Sequence, residues 1–590
     1  MPDTAEALLP LAVAIPLVGA ALLAAAGRRL PRLGCDILAT ATAVADLTCL
    51  VMLWPHAADR VTVRAGGLPE DLGILLVADS IGAGLALLAA VLVLAVIVYS
   101  WRYFDEPSGE HAGVFPALVL LFEAGMVGFA LTGDLFNAFV FFELMSVAAY
   151  ALTGFRIEDP RPLQGALTFA IVTSFAAYCS LLGIGLLYAR TGELGLSRIG
   201  EQLAGRPTDL LVVLAFVLVV TSLLVKAAVV PFHFWLPDAH AVAPTPVCML
   251  MSGVMVELGL YGTARVYWTV FSGPGGIPPT AFRATFVVLG VITALLGALM
   301  CWQQRHLKRM LAFSTICHTG LFLLGIALLT PAGLTGAAIY VAGHGCVKAA
   351  LFGLTGVLLS QYGSVDEHGL YGRACGHRTV GLLFVLGALV LAGLPPFGSG
   401  LGKALGEEGS GGVLAAVYVV CSALTGGAVL RAAARIFWGA GQRPAERPGD
   451  AETTGEGEEP EVRLPEGRPP WPMVAVPAAL LFLCLLVGVL PGVAGSLARG
   501  SELFTGHPGQ ATGAEPGWAP EGVALGVTSA VLACLFAGAA LFGRTREPLR
   551  RSATAVLRPL RGLHSGLLGD NLAWLSVGMA ALCVAVALYI

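Results

Sequence analysis

LLVKAAVVPFHFWLPDAH, residues 223–240, is an apolar run that holds a single lysine, Lys226, shortly ahead of Pro231. A charge near the centre of a bilayer costs about 2.5–3.5 kcal/mol, and proline removes an amide donor and breaks the helical ladder. In a membrane such a break is tolerated where the freed backbone is buried in protein or lines a wet cavity. A lysine beside it is the arrangement of an ion site. LVLAGLPPFGSGLGKALGEE, residues 389–408, repeats the pattern with Pro395, Pro396 and Lys403. Its GSGLGK string is not a phosphate loop, because position 397 is not glycine, Ala404 stands where Ser or Thr is needed, and no strand precedes it.

The rest of the chain fits the same solvent. Of 590 residues, 57% are hydrophobic and 12% charged, about half the roughly 25% charged fraction of soluble domains. A soluble multidomain enzyme is excluded. Apolar runs of about twenty residues recur between charged or Gly/Pro-rich breaks, and predict spanning helices from residues 8–26 to 571–590, sixteen in all. The two proline breaks lie at the end of the seventh (208–230) and within the twelfth (379–405). A net charge of −4, with basic residues in short clusters between apolar runs, gives no nucleic-acid footprint. Twelve cysteines are scattered without a CxxC pair, so no iron–sulfur, zinc or haem site, and no metal or cofactor, is expected in this chain. Asp3 and Glu6 precede the first run and Arg28, Arg29 and Arg32 follow it, the reverse of a signal peptide, which predicts a retained first helix. Positive-inside counting, anchored at Arg305, Lys308 and Arg309 and at the run Arg544 to Arg561, places both termini on the outer side of the cell (inner) membrane.

The organisation predicted is all-α: helices 1 to 3 in residues 1–110, a five-helix unit (helices 4 to 8) in 111–270, and a second (helices 9 to 13) in 280–440. A disordered cytoplasmic linker at 441–470, rich in Pro, Gly and Glu, and helices 14 to 16 in 471–590 complete it. A shorter disordered stretch is expected at 502–519. The two Pro-Phe breaks lie five spans apart, and an odd offset gives the five-helix units opposite topology.

Further charges fall inside predicted spans. Glu143 lies in GDLFNAFVFFELMSVAAYAL (133–152), where Ser146 is the sole polar residue from Ala138 to Val147 besides Glu143 itself. Glu257 lies in LMSGVMVELGLYG, and His318 in LKRMLAFSTICHTG. His344 and Lys348 in VAGHGCVKAALFG are four apart and share a helix face. Histidine titrates near neutral pH, which suits a proton relay. Asp79, Glu123 and Asp134 lie nearer span ends and are expected at interfaces. Of 34 basic residues, 30 are arginine, and three of the four lysines (Lys226, Lys348 and Lys403, but not Lys308) sit within predicted spans. Buried lysine can release a proton where arginine cannot.

These motifs, with KAAVVPFHFWLPDAHAVAPTPV, HGCVKAALF and GLPPFGSGLGK, resemble the antiporter-like membrane subunits shared by respiratory complex I (NADH:quinone oxidoreductase), Mrp-type Na+/H+ antiporters and membrane-bound hydrogenases, over about residues 75 to 440. The resemblance implies two inverted five-helix repeats with broken seventh and twelfth helices, and a charged chain through the membrane midplane. Glu143 and Lys226 match the family's Glu–Lys pair, His318, His344 and Lys348 its central relay, and Lys403 its distal lysine. Glu257 stands where many members have lysine. The implied function is a proton-translocating subunit of a larger membrane complex, coupled to redox chemistry or Na+ exchange in partner subunits, with no redox chemistry of its own. A quinone-binding redox subunit and a stand-alone Na+/H+ antiporter are the alternatives.

Overall fold

The computed structural model describes residues 4–64, 73–101, 103, 112–156, 160–442, 461, 469–506, 517–543 and 567–589. The helices in chain order begin with α1 (Thr4–Ala26), α2 (Arg32–Leu53), α3 (Ser80–Ser100), α4 (Val114–Ala130), α5 (Leu135–Thr153), α6 (Pro160–Thr191) and α7 (Leu196–Ala204). Next come α8 (Leu210–Lys226), α9 (Trp235–Val242), α10 (Thr245–Phe271), α11 (Pro279–Gln303), α12 (Leu307–Ala327) and α13 (Pro331–Tyr362). The last are α14 (Arg378–Leu391), α15 (Gly398–Ser410), α16 (Gly412–Trp438), α17 (Trp471–Val489), α18 (Pro491–Thr505), α19 (Pro520–Phe542) and α20 (Leu568–Ala587). Among the described residues, thirteen helices are long and apolar enough to cross a membrane, and α4, α8 and α14 are shorter apolar helices. The chain is an all-α, multi-pass membrane protein.

Short polar caps start several of these helices. The carboxylates of Asp79, Asp134 and Asp209 accept from the amides of Gly82 (2.9 Å), Asn137 (2.7 Å) and Val212 (3.1 Å), satisfying amides that have no intrahelical partner. The apolar run that leads into α3 does not begin as helix. Leu75–Ala78 is a strand, paired antiparallel with Val61–Arg64, and it docks on the α4–α5 connection through Val77 N–H to Leu131 (2.7 Å) and Gly133 N–H to Leu75 (2.8 Å). A short apolar run bounded by breaks reads equally as strand or helix start.

Three helices form the centre. The apolar windows of α10 and α12 are wholly buried and that of α13 is 89% buried, against 28% for α19 and α20. Of the thirteen, α10 and α13 are also the least hydrophobic. Shielded from lipid, these helices can carry polar groups that a lipid-facing helix could not.

Both predicted breaks are present, and they match residue for residue. Ala227, Ala228 and Val229 donate to the carbonyls of Leu223, Val225 and Leu224, and Phe232 to Val229. Ala392, Gly393, Leu394 and Phe397 make the corresponding four bonds to Ala388, Val390, Leu389 and Leu394. Ala228 and Gly393 both have positive φ, 52° and 97°. In this pairing Lys226 falls opposite Leu391 and Lys403 opposite Asp238, so the two lysines sit on opposite sides of equivalent breaks.

The basic anchors read from the sequence are ion-paired. Arg305 reaches Asp366 at 2.5 Å and Arg309 reaches Asp238 at 2.8 Å. Arg431 and Arg435 both bind Glu367. The Arg544 to Arg561 run lies outside the described residues, as do 443–460 and 462–468 of the expected linker and 507–516 of the second. Glu461, from within the first linker, is buried and pairs with Lys308 at 2.6 Å. It also accepts from the Thr245 amide at 2.8 Å and from the Tyr103 hydroxyl.

Candidate functional site

Lys226 is the last residue of α8, fully buried where the helix stops. Its ammonium donates to the Ser146 hydroxyl on α5 and lies 4.6 Å from the centre of the Phe142 ring, a cation–π contact. Glu143 makes no ion pair with it. The carboxylate lies three residues before Ser146 on α5, on the same face, with Oε1 buried and without a partner. One helix face thus offers the ammonium two acceptors, and the neutral one holds it.

The central residues converge on α10, α12, α13 and α16. Glu257 Oε1 lies 3.1 Å from His344 Nδ1. The His344 and His318 rings are 4.9 Å apart. His318 Nδ1 pairs with the Tyr340 hydroxyl at 2.9 Å and Nε2 with Thr425 Oγ1 at 3.3 Å, and Tyr340 reaches Ser422 at 3.4 Å. A π-helical turn, Met251–Met255, immediately precedes the helical turn carrying Glu257; such bulges are frequent at functional sites. Lys348 shares a face with His344, but its ammonium turns to the Ser314 hydroxyl and the Leu311 carbonyl on α12. Lys226 and the Glu257–His344 pair share no hydrogen bond.

Glu257 also lines a cavity of about 250 Å³ walled by apolar side chains of α3, α10, α12, α13, α17 and α18, among them Leu88, Phe322, Val341 and Leu497. The second carboxylate oxygen of Glu257 and Nε2 of His344 have no partner.

Lys403 lies past the second break, on α15. Its ammonium is 2.9 Å from Glu407, one turn along the same helix, and donates to Ser529 Oγ of α19 at 2.6 Å. The glycines of the GSGLGK string serve packing. A Cβ on Gly402 would strike the backbone of Tyr340, and one on Gly398 would come within 2.6 Å of Val487; outside the string, one on Gly393 would come within 2.7 Å of Lys403 Cδ. Small residues let α15 and α13 meet backbone to backbone, as membrane helices commonly do.

The structure therefore brings Glu257, His318 and His344 together, places Glu143 beside but not on Lys226, and sets Lys348 and Lys403 in separate polar contacts. The sequence reading passed over Glu407, Ser529, Tyr340 and His240. The Glu407 signal was present as the i, i+4 spacing from Lys403. His240 on α9 stacks on Phe352 with ring centres 4.8 Å apart, and both its nitrogens are without partners. Of the carboxylates expected at interfaces, Asp79 pairs with Arg265 at 2.6 Å and Asp134 caps α5. Glu123 departs from that expectation: it lies in mid-α4, fully buried, near Asp46 of α2, and neither has another partner. Among the described residues no three His, Cys, Asp or Glu side chains cluster as a metal site.

Fold and site define a class: a helical membrane protein whose lipid-shielded interior carries ionisable side chains at and between two matched helix breaks. Comparison with known proteins agrees. Residues 132–425 match the family described as NADH:quinone oxidoreductase/Mrp antiporter, TM. NADH-quinone oxidoreductase subunit N of Desulforudis audaxviator is 38% identical, over 61% of this chain and 72% of its own length. A Na(+)/H(+) antiporter subunit of Bacillus subtilis is 30% identical, over 64% and 76%. A chain of the Mrp complex from Dietzia sp. DQ12-45-1b superposes with a TM-score of 0.73 at 27% identity, covering 85% of this chain and 98% of that one. The chain belongs to the NADH:quinone oxidoreductase/Mrp antiporter family.

Proposed function

We propose that this chain is a proton-translocating, antiporter-like subunit of a multi-subunit membrane complex. Its proton path would run through Glu143, Lys226, Glu257, His318, His344, Lys348 and Lys403, with Glu407 as the partner of the last. The observation that carries this reading is the row of buried ionisable groups on lipid-shielded helices, within a segment that matches the family. Relatives named as oxidoreductase and antiporter subunits support the assembly. Redox chemistry or Na+ exchange belongs, on this reading, to partner subunits. The three shorter apolar helices complete sixteen spans in two five-helix units plus flanking helices, in the cell membrane with both termini outside.

The step begins at α5. When Lys226 moves from Ser146 to Glu143 it gains an opposite charge that favours its protonated form. Return to the neutral hydroxyl withdraws that support in a dry site, and the lysine releases its proton. Histidine carries a proton on either ring nitrogen, so His344 and His318 can pass one from Glu257 towards Tyr340 and the Lys403–Glu407 pair.

The test is proton movement by the purified complex in proteoliposomes, read with a pH-sensitive dye. Lys226→Ala and Glu143→Gln should both be near null while the subunit still assembles. Unchanged translocation in either would overturn the reading. Iron and flavin assays on the complex co-purified in mild detergent separate a redox-driven assembly, which contains them, from an exchanger.

A further inference from the structure

The two last helices, α19 and α20, lie beyond the matched segment, which ends at residue 425, yet each crosses one of the breaks. A Cβ on Gly578 of α20 would come within 2.6 Å of the Pro231 ring at the first break. On α19, a Cβ on Gly526 would come within 2.7 Å of the Gly393 carbonyl and 3.1 Å of the Pro395 ring at the second, and one on Gly522 within 2.7 Å of Ala404. Just before α19, Trp518 donates to the Gly488 carbonyl at 3.0 Å and presses its ring on Gly400. Residues 522, 526 and 529 follow a helical spacing, so they form one face of small side chains laid along α15. The opposite face carries exposed Val527, Val531 and Leu535.

That small face ends in Ser529, fully buried, whose hydroxyl accepts from the Lys403 ammonium at 2.6 Å. This serine meets a buried lysine because the glycines before it let the backbones approach. The first break differs: the ammonium of Lys226 is held by Ser146 of α5, inside the matched segment.

We propose that α19 is a working part of the distal lysine site, and that Ser529 is a positioning residue sharing the Lys403 ammonium with Glu407. The proposal rests on the reading of Lys403 as a proton carrier. A hydroxyl at this place holds the ammonium at a fixed distance from the carboxylate and offers it a neutral resting partner, so proton transfer at Lys403 depends on it. The prediction is specific to the oxygen rather than to the packing.

The experiment compares Ser529→Ala, Ser529→Cys and Ser529→Thr in the assembled complex, with proton translocation and subunit recovery read together. Hydrogen bonds to charged groups are strong enough that Ser529→Ala should slow translocation about tenfold at normal assembly. The Cys variant, of similar size but a poor acceptor, should stay slow, and the Thr variant should recover most of the rate. Wild-type rates in Ser529→Ala would overturn the proposal, as would equal impairment in all three. Lys403→Ala run alongside keeps the two readings apart. If it conducts normally, the proton path itself is wrong; if it is null while Ser529→Ala is normal, only the role of α19 fails.

Discussion

The two helix breaks have the same backbone and opposite occupants. At the first, Lys226 closes the half-helix before the break and rests on a serine, with Glu143 nearby but unengaged. At the second, Lys403 stands on the half-helix after the break, with Glu407 at 2.9 Å and a serine at 2.6 Å. The serine in one case comes from α5 and in the other from α19. The difference teaches that the break is a reusable frame, satisfied by its own four hydrogen bonds, while the lysine is placed independently of it. One ammonium rests off its carboxylate and the other on it.

The largest effect should come from removing the carboxylates. Breaking a buried ion pair leaves an uncompensated charge and costs about 3–5 kcal/mol. Lys403 and Glu407 are both about 1% exposed at the side chain, so Glu407→Ala should lower the thermal midpoint of the detergent-solubilised subunit sharply. Glu143→Ala breaks no such contact and should change that midpoint little, although translocation is lost in both. Equal destabilisation by the two would mean that Lys226 is also resting on its carboxylate, and would erase the contrast.

A smaller effect tests why glycine stands at one break and alanine at the other. Gly393 has φ 97°, and the stem of Lys403 lies across it. Gly393→Ala therefore meets a side chain whose head is held at both ends, and strain of this kind costs about 1–3 kcal/mol. Ala228 has φ 52° with no lysine beyond the break to crowd it. Ala228→Gly relieves a left-handed penalty of about 1–2 kcal/mol and gains about 0.5–1 kcal/mol of unfolded-state freedom against it, so the two nearly cancel. Thermal melting of the pair should show a clear loss for the first and almost none for the second. Matching losses would mean that the lysine stem is not what fixes the glycine.

What could be read from the sequence was what violates the membrane's chemistry. Prolines and charges inside apolar runs are costly, so Pro231, Lys226, Pro396 and Lys403 stand out without any structure. Glu407 carried the same i, i+4 signal as His344 and Lys348, but two successive acids beside a glycine resemble the polar end of a span. Ser529 carried no signal, because only the crossing of α19 over α15 connects it to Lys403. Glu461 sits in a segment whose composition reads as solvated, and its burial follows from Lys308, Tyr103 and Thr245 arriving from three other elements. The closeness of Asp46 and Glu123 is likewise a product of helix packing. Local chemistry announces a costly residue; its partner is set by tertiary contact.

An effect smaller than that of Glu407→Ala, and the one that separates the two breaks most finely, should follow Ser146→Ala. A hydrogen bond to an ammonium is worth about 1.5–3 kcal/mol, and its loss at a buried site would ordinarily be felt in full. Here α5 carries a second acceptor on the same face. Freed from Ser146, the Lys226 side chain can turn to Glu143, whose buried oxygen lacks a partner, and much of the loss is regained. The thermal midpoint should therefore fall by less than that of Glu407→Ala, while translocation drops because the lysine is left engaged with its carboxylate and has no neutral partner to return to. Adding Glu143→Gln to Ser146→Ala withdraws the charged acceptor, and the double variant should be less stable than the two single changes added together. Additive behaviour would mean that Lys226 never reaches Glu143, and that the resting contact with serine is the only one this site makes.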